Sequence, residues 1–312
     1  MLRTIVKKIR NGIGGGLPAP HATDLASQPA SMENESYWTS HNVTNHQQFA
    51  SIEQSLAYLD WRNDQYPGYI DLMPVSGQDG KVVLDYGCGP GNDLVGFGHY
   101  SRPARLIGMD ISSSSLSESR ARLALHRIPA ELTHVKESAE HLPLDDGSID
   151  YIYSSGVVQC TQEPSKVLRE FRRVIRPTGR CRIMVYNYQS LWLHLYVAYV
   201  KCVKEGLYAG LDIRSAFALT TDGPNCPISR AYLPEEFCQL AAECGFHCRF
   251  LGAAVSLIEM GMLPLRFEAA QRLELPAEHR KFLLALTLDA RGFPRFNDHY
   301  AGVDGCFELA PM

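Results

Sequence analysis

The sequence predicts an α/β protein built on a doubly wound, mostly parallel sheet. Three observations point there. Lys81 to Asp93 reads KVVLDYGCGPGND, in which Val82, Val83 and Leu84 form a short apolar run ended by turn residues. Such a run suits a strand covered on both faces. Asp85 and three glycines, Gly87, Gly89 and Gly91, follow at once, and missing side chains allow a tight turn and close approach of a ligand to bare backbone. Downstream, strand-like runs alternate with helical stretches as far as Tyr186. Five strands joined in this way by short turns imply a parallel sheet with helices on both faces.

Spacing separates two kinds of glycine loop. In a dinucleotide fingerprint, G-x-G-x-x-G, the third glycine would stand at Asn92, but the chain places it one residue early, at Gly91. Asp85 at the strand tip would repel a pyrophosphate on the following helix N-terminus and attract an amino group or a sulfonium. The loop therefore favours a cationic or zwitterionic cofactor. D-Y-G-C-G-P-G resembles motif I of the class I S-adenosylmethionine-dependent methyltransferases, including the ubiquinone and menaquinone methyltransferase-like type. The resemblance implies a Rossmann-like fold with strand order 3-2-1-4-5-7-6, one antiparallel strand near the end, an N-terminal helical lid and an inserted C-terminal cap. It also implies that Gly87, Cys88, Gly89 and Gly91 lie under the methionine and ribose of S-adenosyl-L-methionine, with Asp85 near the amino end.

A chain of 312 residues holds about two domains at roughly 150 residues each, or one domain with an elaboration. Its 45% hydrophobic and 21% charged content is ordinary for a globular protein with a sizeable core. Thirty basic against 34 acidic side chains leave a net charge of -4, which gives no general attraction to nucleic acid. Nine cysteines include no C-x-x-C pair, and no secretory signal is visible, so reduced thiols in a cytosol are expected. Cys238, Cys244 and Cys248 cluster beside His247, but the spacing matches no zinc pattern and buried cysteines are the reading preferred.

Four regions are expected: 1–36, 37–79, 80–188 and 189–312. Residues 1–10 place Leu2, Ile5, Val6 and Ile9 at helical spacing with Arg3, Lys7, Lys8 and Arg10 on the other face. This basic amphipathic segment suits peripheral contact with an anionic membrane, or equally a leader that is frayed or packed on another subunit. Glycine and proline make the stretch to Ser36 a linker. From Tyr37 aromatics accumulate around a helix expected over about Gln47 to Gln65, read as a lid, or as plain packing against the sheet. Arg105 to Asp110 is the second strand. Asp110 lies 19 residues after Gly91 (110 − 91), close to the ~20 that separate such a loop from an acid receiving ribose hydroxyls. Ile111 is expected beside the adenine ring. Ser112 to Ser115 caps a helix running to about Arg127, and Ala130 to Val135 is the third strand.

The segment KESAEHLPLDDGSIDYIYSSG resembles a second family stretch, with Ala139, Leu142 and Pro143 matching. Ser138 departs, standing where an aspartate commonly takes the adenine amino group. Ser138, Ala139 and Glu140 are the expected adenine contacts, with adenine read partly by backbone. Ile149 to Ser154 is the fourth strand, and Ser155 at its tip should face the reacting methyl. The Asn or Asp followed by two prolines that holds a flat amine in relatives is missing, which argues against exocyclic amine methylation. Gln159 and Cys160 stand where many relatives carry a histidine, so no general base is assigned there. Pro164 to Ile175 reads as an amphipathic helix, Arg176 to Arg180 as a turn, and Cys181 to Tyr186 as strand five.

Leu191 to Val200 is apolar nearly all round but short of the ~20 residues that span a bilayer, so a buried helix is expected. His194 within it is expected to be satisfied by a carbonyl rather than catalytic. Gly206 to Tyr232 reads as loop, and Thr220 to Gly223 as a wall of the acceptor site or a plain connection. LPEEFCQLAAECGF resembles the family's helix before its last strands, expected at His247 to Leu251 and Cys306 to Leu309, with a partly helical insertion over 260–300. A hydroxyl acceptor needs a base; His41, His46, His194, Tyr186 and Asp222 are all candidates and none is favoured. The basic leader and the apolar helix suggest a lipid-linked acceptor, such as a glycan or glycolipid, or a quinone-like compound as in the relatives the core resembles, methylated on oxygen or carbon. A soluble natural product is the alternative acceptor, and a nicotinamide oxidoreductase or a non-catalytic cofactor-binding protein the alternative classes.

Overall fold

The computed structural model describes residues 33–312 apart from 43, 45, 137–140 and 209. The basic leader, nearly all of the linker, and Ser138, Ala139 and Glu140 lie outside the described residues. Helices α1 (Asn34–Ser40), α2 (Ile52–Asp64) and α3 (Tyr69–Leu72) precede β1 (Val82–Tyr86). Then come α4 (Asn92–Tyr100), β2 (Arg105–Asp110), α5 (Ser113–His126), β3 (Glu131–His134), β4 (Ile149–Ser155), α6 (Pro164–Val174) and β5 (Ile175–Asn187).

The sheet runs β3-β2-β1-β4-β5 in parallel, then β11 (Asp304–Pro311) antiparallel, then β7 (Phe246–Ala254) at the edge. Counting β7 sixth and β11 seventh, this is the expected order with its one reversed strand. In β1, Val83 and Leu84 are fully buried because helices cover both faces. Leu84, Ile107 and Ile152 pack with Leu168, Phe171 and Val174 of α6 on one side. Val83, Leu106 and Tyr153 pack with Leu94 and Phe97 of α4 and Leu116 of α5 on the other.

Local chemistry sets the helix ends. The α2 helix starts at Ile52 rather than near Gln47 because the Ser51 hydroxyl accepts the Gln54 amide at 3.3 Å. Ser112 caps α5 in the same way, with Arg127 in a left-handed conformation closing it. The strand expected from Cys181 begins earlier, at Ile175: the stretch expected as a turn is an irregularity in the β4–β5 pairing between Ile149 and Tyr151.

Beyond β5 the expectations fare less evenly. The buried helix is present as α7 (Trp192–Lys204), wound with π spacing, as in the Glu205 amide donating to the Val200 carbonyl at 2.9 Å. The stretch expected as loop contains α8 (Ile213–Thr221), which Asp212 caps by accepting the Arg214 and Ser215 amides, so Thr220 and Thr221 are helical. After the short β6 (Ala231–Tyr232) comes α9 (Pro234–Glu243). Cys238 on α9 and Cys248 on β7 are joined in a disulfide rather than held as thiols, because helix and edge strand bring their Cα atoms to 5.1 Å. Cys244 lies apart, its thiol against the Ser165 carbonyl at 3.5 Å. The insertion holds α10 (Leu257–Met262), α11 (Arg266–Gln271) and α12 (Ala277–Ala285), plus an unexpected three-stranded sheet of β8 (Thr287–Leu288), β9 (Pro294–Phe296) and β10 (His299–Tyr300). Among the described residues no helix is long and apolar enough to cross a membrane.

Candidate cofactor and acceptor site

A cavity of about 570 Å³ opens at the C-terminal edge of the parallel strands, where open α/β sheets take ligands. Its floor is the loop after β1. Gly87, Gly89 and Gly91 all have positive φ, at 77°, 50° and 79°, but their surroundings differ. A Cβ on Gly87 would meet Val157 Cγ2 at 2.1 Å, and one on Gly91 would meet Ser119 Oγ at 2.6 Å, whereas one on Gly89 would meet nothing within 4 Å. Gly89 is thus the bare backbone that faces the cavity. The loop is tied to the end of β2: the Gly87 and Cys88 amides donate to the Met109 carbonyl at 2.7 and 3.0 Å.

Asp110 ends β2 on the cavity wall, where its carboxylate accepts the Gly89 amide on one oxygen and the Ser112 amide on the other, each at 2.7 Å. Burial pushes its pKa above the usual carboxylate range, against the pull of those two bonds. A carboxylate offers about four lone-pair sites, so two remain for a ligand. Ile111 and Cys88 also line the cavity, and Ser155 lines it with its hydroxyl 2.5 Å from the Tyr69 hydroxyl. Asp85 is set back, not on the cavity surface, and Gly91 likewise. One Asp85 oxygen has no hydrogen-bond partner among the described residues. Burial drives this acid far up, the charges of Asp93 and Asp110 add to that, and Arg62 opposes it. A cation held above it would relieve the cost.

Three wall residues, Arg62, Asp93 and Asp304, escape a reading of the sequence. Asp93, on the first turn of α4, pairs with Arg62 of α2 beneath the cavity. The acid stands at the end of the glycine motif and could have been noted, but no spacing announces its partner 31 residues earlier. Helix α1 forms the roof: Asn34 Nδ2 donates to the Cys160 carbonyl at 2.9 Å, and the Tyr37 hydroxyl to the Asp222 carbonyl.

Of the five candidate bases, His41, Tyr186 and Asp222 line the cavity and two do not. His46 sits outside on the Glu118 carboxylate at 2.7 Å, a bond that raises its pKa. His194 is paired not with a carbonyl alone but with the ring of His279, Nδ1 to Nδ1 at 2.8 Å, and stacks on Phe282 at 3.9 Å between centroids. Asp222 is heavily engaged: Tyr186 and Ser229 hydroxyls donate to it at 2.7 Å each, with the Cys160 thiol at 3.8 Å. Asp304, at the start of β11, also lines the cavity and was not foreseen. Trp61, Leu257 and Ile258 form an apolar rim, 53%, 44% and 58% exposed.

The parallel sheet, the glycine loop and the acid ending β2 define a class I S-adenosylmethionine-dependent methyltransferase core. Residues 84–183 match the family model described as a methyltransferase domain. Among curated relatives, it is 30% identical over 201 residues to an uncharacterised 37.1 kDa protein in transposon TN4556 of Streptomyces fradiae, covering 58% of this chain and 57% of that one. It is 33% identical over 125 residues to a malonyl-[acyl-carrier protein] O-methyltransferase of Marinomonas sp., covering 39% and 44%. The chain thus spans only about half the length of these relatives. Its fold resembles that of a geranyl diphosphate C-methyltransferase from Streptomyces coelicolor A3(2), solved with Mg2+, geranyl diphosphate and S-adenosyl-L-homocysteine, at TM-score 0.52 and 13% identity over 91% of this chain and 98% of that one. The residues present fit the family's cofactor: Gly89 leaves open room, Asp110 keeps free lone pairs on the wall, and the orphaned Asp85 oxygen lies behind the loop.

Proposed function

We propose that this chain is an S-adenosylmethionine-dependent methyltransferase that acts on a small or lipid-linked acceptor, transferring the methyl group to oxygen or carbon. The observation that carries the reading is one cavity whose lining includes both the bare backbone of Gly89 and an aromatic and acidic group, Tyr66, Tyr186, Asp222 and Asp304. The first part suits the donor and the second an acceptor. Asp110 would hold the ribose hydroxyls, with Ile111 against adenine and Ser155 near the transfer point. Bound S-adenosylmethionine supplies a methyl group already activated by its sulfonium. The chain's own residues then need only align the acceptor and exclude water, which can lower a barrier by about 7–11 kcal/mol when geometry is good. Tyr37, Asn34 and the rest of α1 provide the exclusion by closing the roof onto Asp222 and Cys160.

An apolar tail on the acceptor is supported by the exposed rim of Trp61, Leu257 and Ile258. One relative, from Mycobacterium tuberculosis H37Rv, is a phthiotriol/phenolphthiotriol dimycocerosates methyltransferase, which agrees with a lipid-linked acceptor. The test is to incubate the protein with methyl-labelled S-adenosylmethionine and either a lipid extract or a soluble metabolite extract. Label entering the lipid fraction is the expected result. Label confined to soluble products would overturn the lipid-linked acceptor, and no transfer from either extract would overturn the activity.

A further inference from the structure

We propose that Asp304 receives the hydroxyl of the methyl acceptor and takes its proton, so that the acceptor is a neutral hydroxyl compound with an apolar body. This deepens the methyltransferase reading and rests on it. Strand β11 is the reversed strand, so its first residue, not its last, arrives at the ligand-binding edge of the sheet, opposite Tyr186 of β5. Asp304 is 5% exposed and lines the cavity.

Four acids line that cavity, and three are taken. Asp110 holds two backbone amides, Asp93 pairs with Arg62, and Asp222 receives Tyr186 and Ser229. Glu259, which lies behind, accepts from Ser256, Trp192 and Val303. No described residue donates a hydrogen bond to the Asp304 side chain. Its oxygens are open to the cavity rather than sealed in the core, so a hydrogen-bond donor entering there would replace the solvation they lose when the site closes. Tyr66 stands next to it, its phenol held up chiefly by the Asp304 charge.

The chemistry of the donor follows from the charge. A buried carboxylate would hold an amine as its ammonium ion, which has no lone pair with which to attack. A hydroxyl keeps its lone pairs while it donates its proton. As the acceptor oxygen bonds to the methyl carbon, the carbon–sulfur bond breaks with its electron pair left on sulfur, and the hydroxyl proton passes to Asp304. The products are a methyl ether, a neutral thioether and a protonated carboxyl that returns its proton to solvent when the site opens. Burial and the nearby Glu259 charge hold the Asp304 pKa well above the ordinary range, which brings it nearer to that of the group it deprotonates. An enol or phenol methylated on carbon would begin with the same proton transfer.

The probes are 4-butylphenol and its methyl ether 4-butylanisole, titrated calorimetrically into the full chain saturated with S-adenosylhomocysteine. The phenol should bind about tenfold or more tighter than the ether, the scale of a charge-assisted hydrogen bond. The gap should collapse in Asp304→Ala and persist in Tyr66→Phe, which keeps the carboxylate. Equal affinity of the wild-type protein for phenol and ether would overturn the inference without recourse to any variant. So would a gap that survives Asp304→Ala. Failure of the wild-type protein to bind S-adenosylhomocysteine at all would instead bring down the methyltransferase reading beneath it.

Discussion

Alanine at Gly89 and alanine at Gly87 should fail in different ways. Both positions have positive φ, so a side chain at either meets the left-handed penalty of roughly 1–2 kcal/mol. At Gly87 the new methyl would also lie 2.1 and 2.8 Å from the two Cγ atoms of Val157, and overpacking of that kind adds about 1–3 kcal/mol. At Gly89 it would meet no protein atom within 4 Å and would project into the cavity. Gly89→Ala should therefore lose only about 1–2 kcal/mol of stability in urea denaturation, while its affinity for S-adenosylhomocysteine falls by about tenfold or more, equivalent to ~1.4 kcal/mol. Gly87→Ala should show the larger loss of stability. The reasoning is refuted if Gly89→Ala binds the ligand as the wild type does, or if the two variants are destabilised alike.

Asp110→Ala removes the acceptor of the Gly89 and Ser112 amides and the remaining lone pairs on the cavity wall. Each orphaned amide should cost about 1–3 kcal/mol, and calorimetry should show S-adenosylhomocysteine affinity reduced about tenfold or more; unchanged affinity contradicts its assigned role. The His194–His279 pair predicts a pH effect. Burial holds both rings below the ordinary histidine range, with the His279 charge adding at His194. The folded protein therefore keeps them neutral while the unfolded chain protonates near ~6.5. Their contribution to stability is present above that pH and is lost as pH falls through it, by up to about 1.4 kcal/mol per pH unit for each ring. His194→Phe should weaken that acid-side loss relative to the wild type in denaturation midpoints measured on either side of the window; parallel curves would contradict it.

What the sequence reveals depends on how local the cause is. Val82 to Leu84, Arg105 to Asp110 and Ile149 to Ser154 are legible because a strand buried on both faces must be apolar throughout, and helix alternation then dictates parallel pairing. The glycine loop is legible because its conformation demands glycine at fixed offsets. Asp304 is not: it precedes the apolar run of the last strand, and only the reversed insertion between β5 and β7 carries it to the cavity. The pairing of His194 with His279 spans 85 residues, and that of Arg62 with Asp93 joins two separate helices. The α8 helix does carry a local signal against a loop, since Asp212 stands as a capping residue before Ile213 to Thr221. The disulfide depended on how α9 packs against β7, which no spacing of Cys238 and Cys248 fixes.

Calorimetric titration of the intact chain with S-adenosylmethionine and, separately, with NAD tests most directly whether an acid placed behind a glycine turn selects a sulfonium over a pyrophosphate. Saturable binding of S-adenosylmethionine with no heat from NAD is the predicted result. Binding of NAD in preference, with S-adenosylmethionine inert, would contradict it.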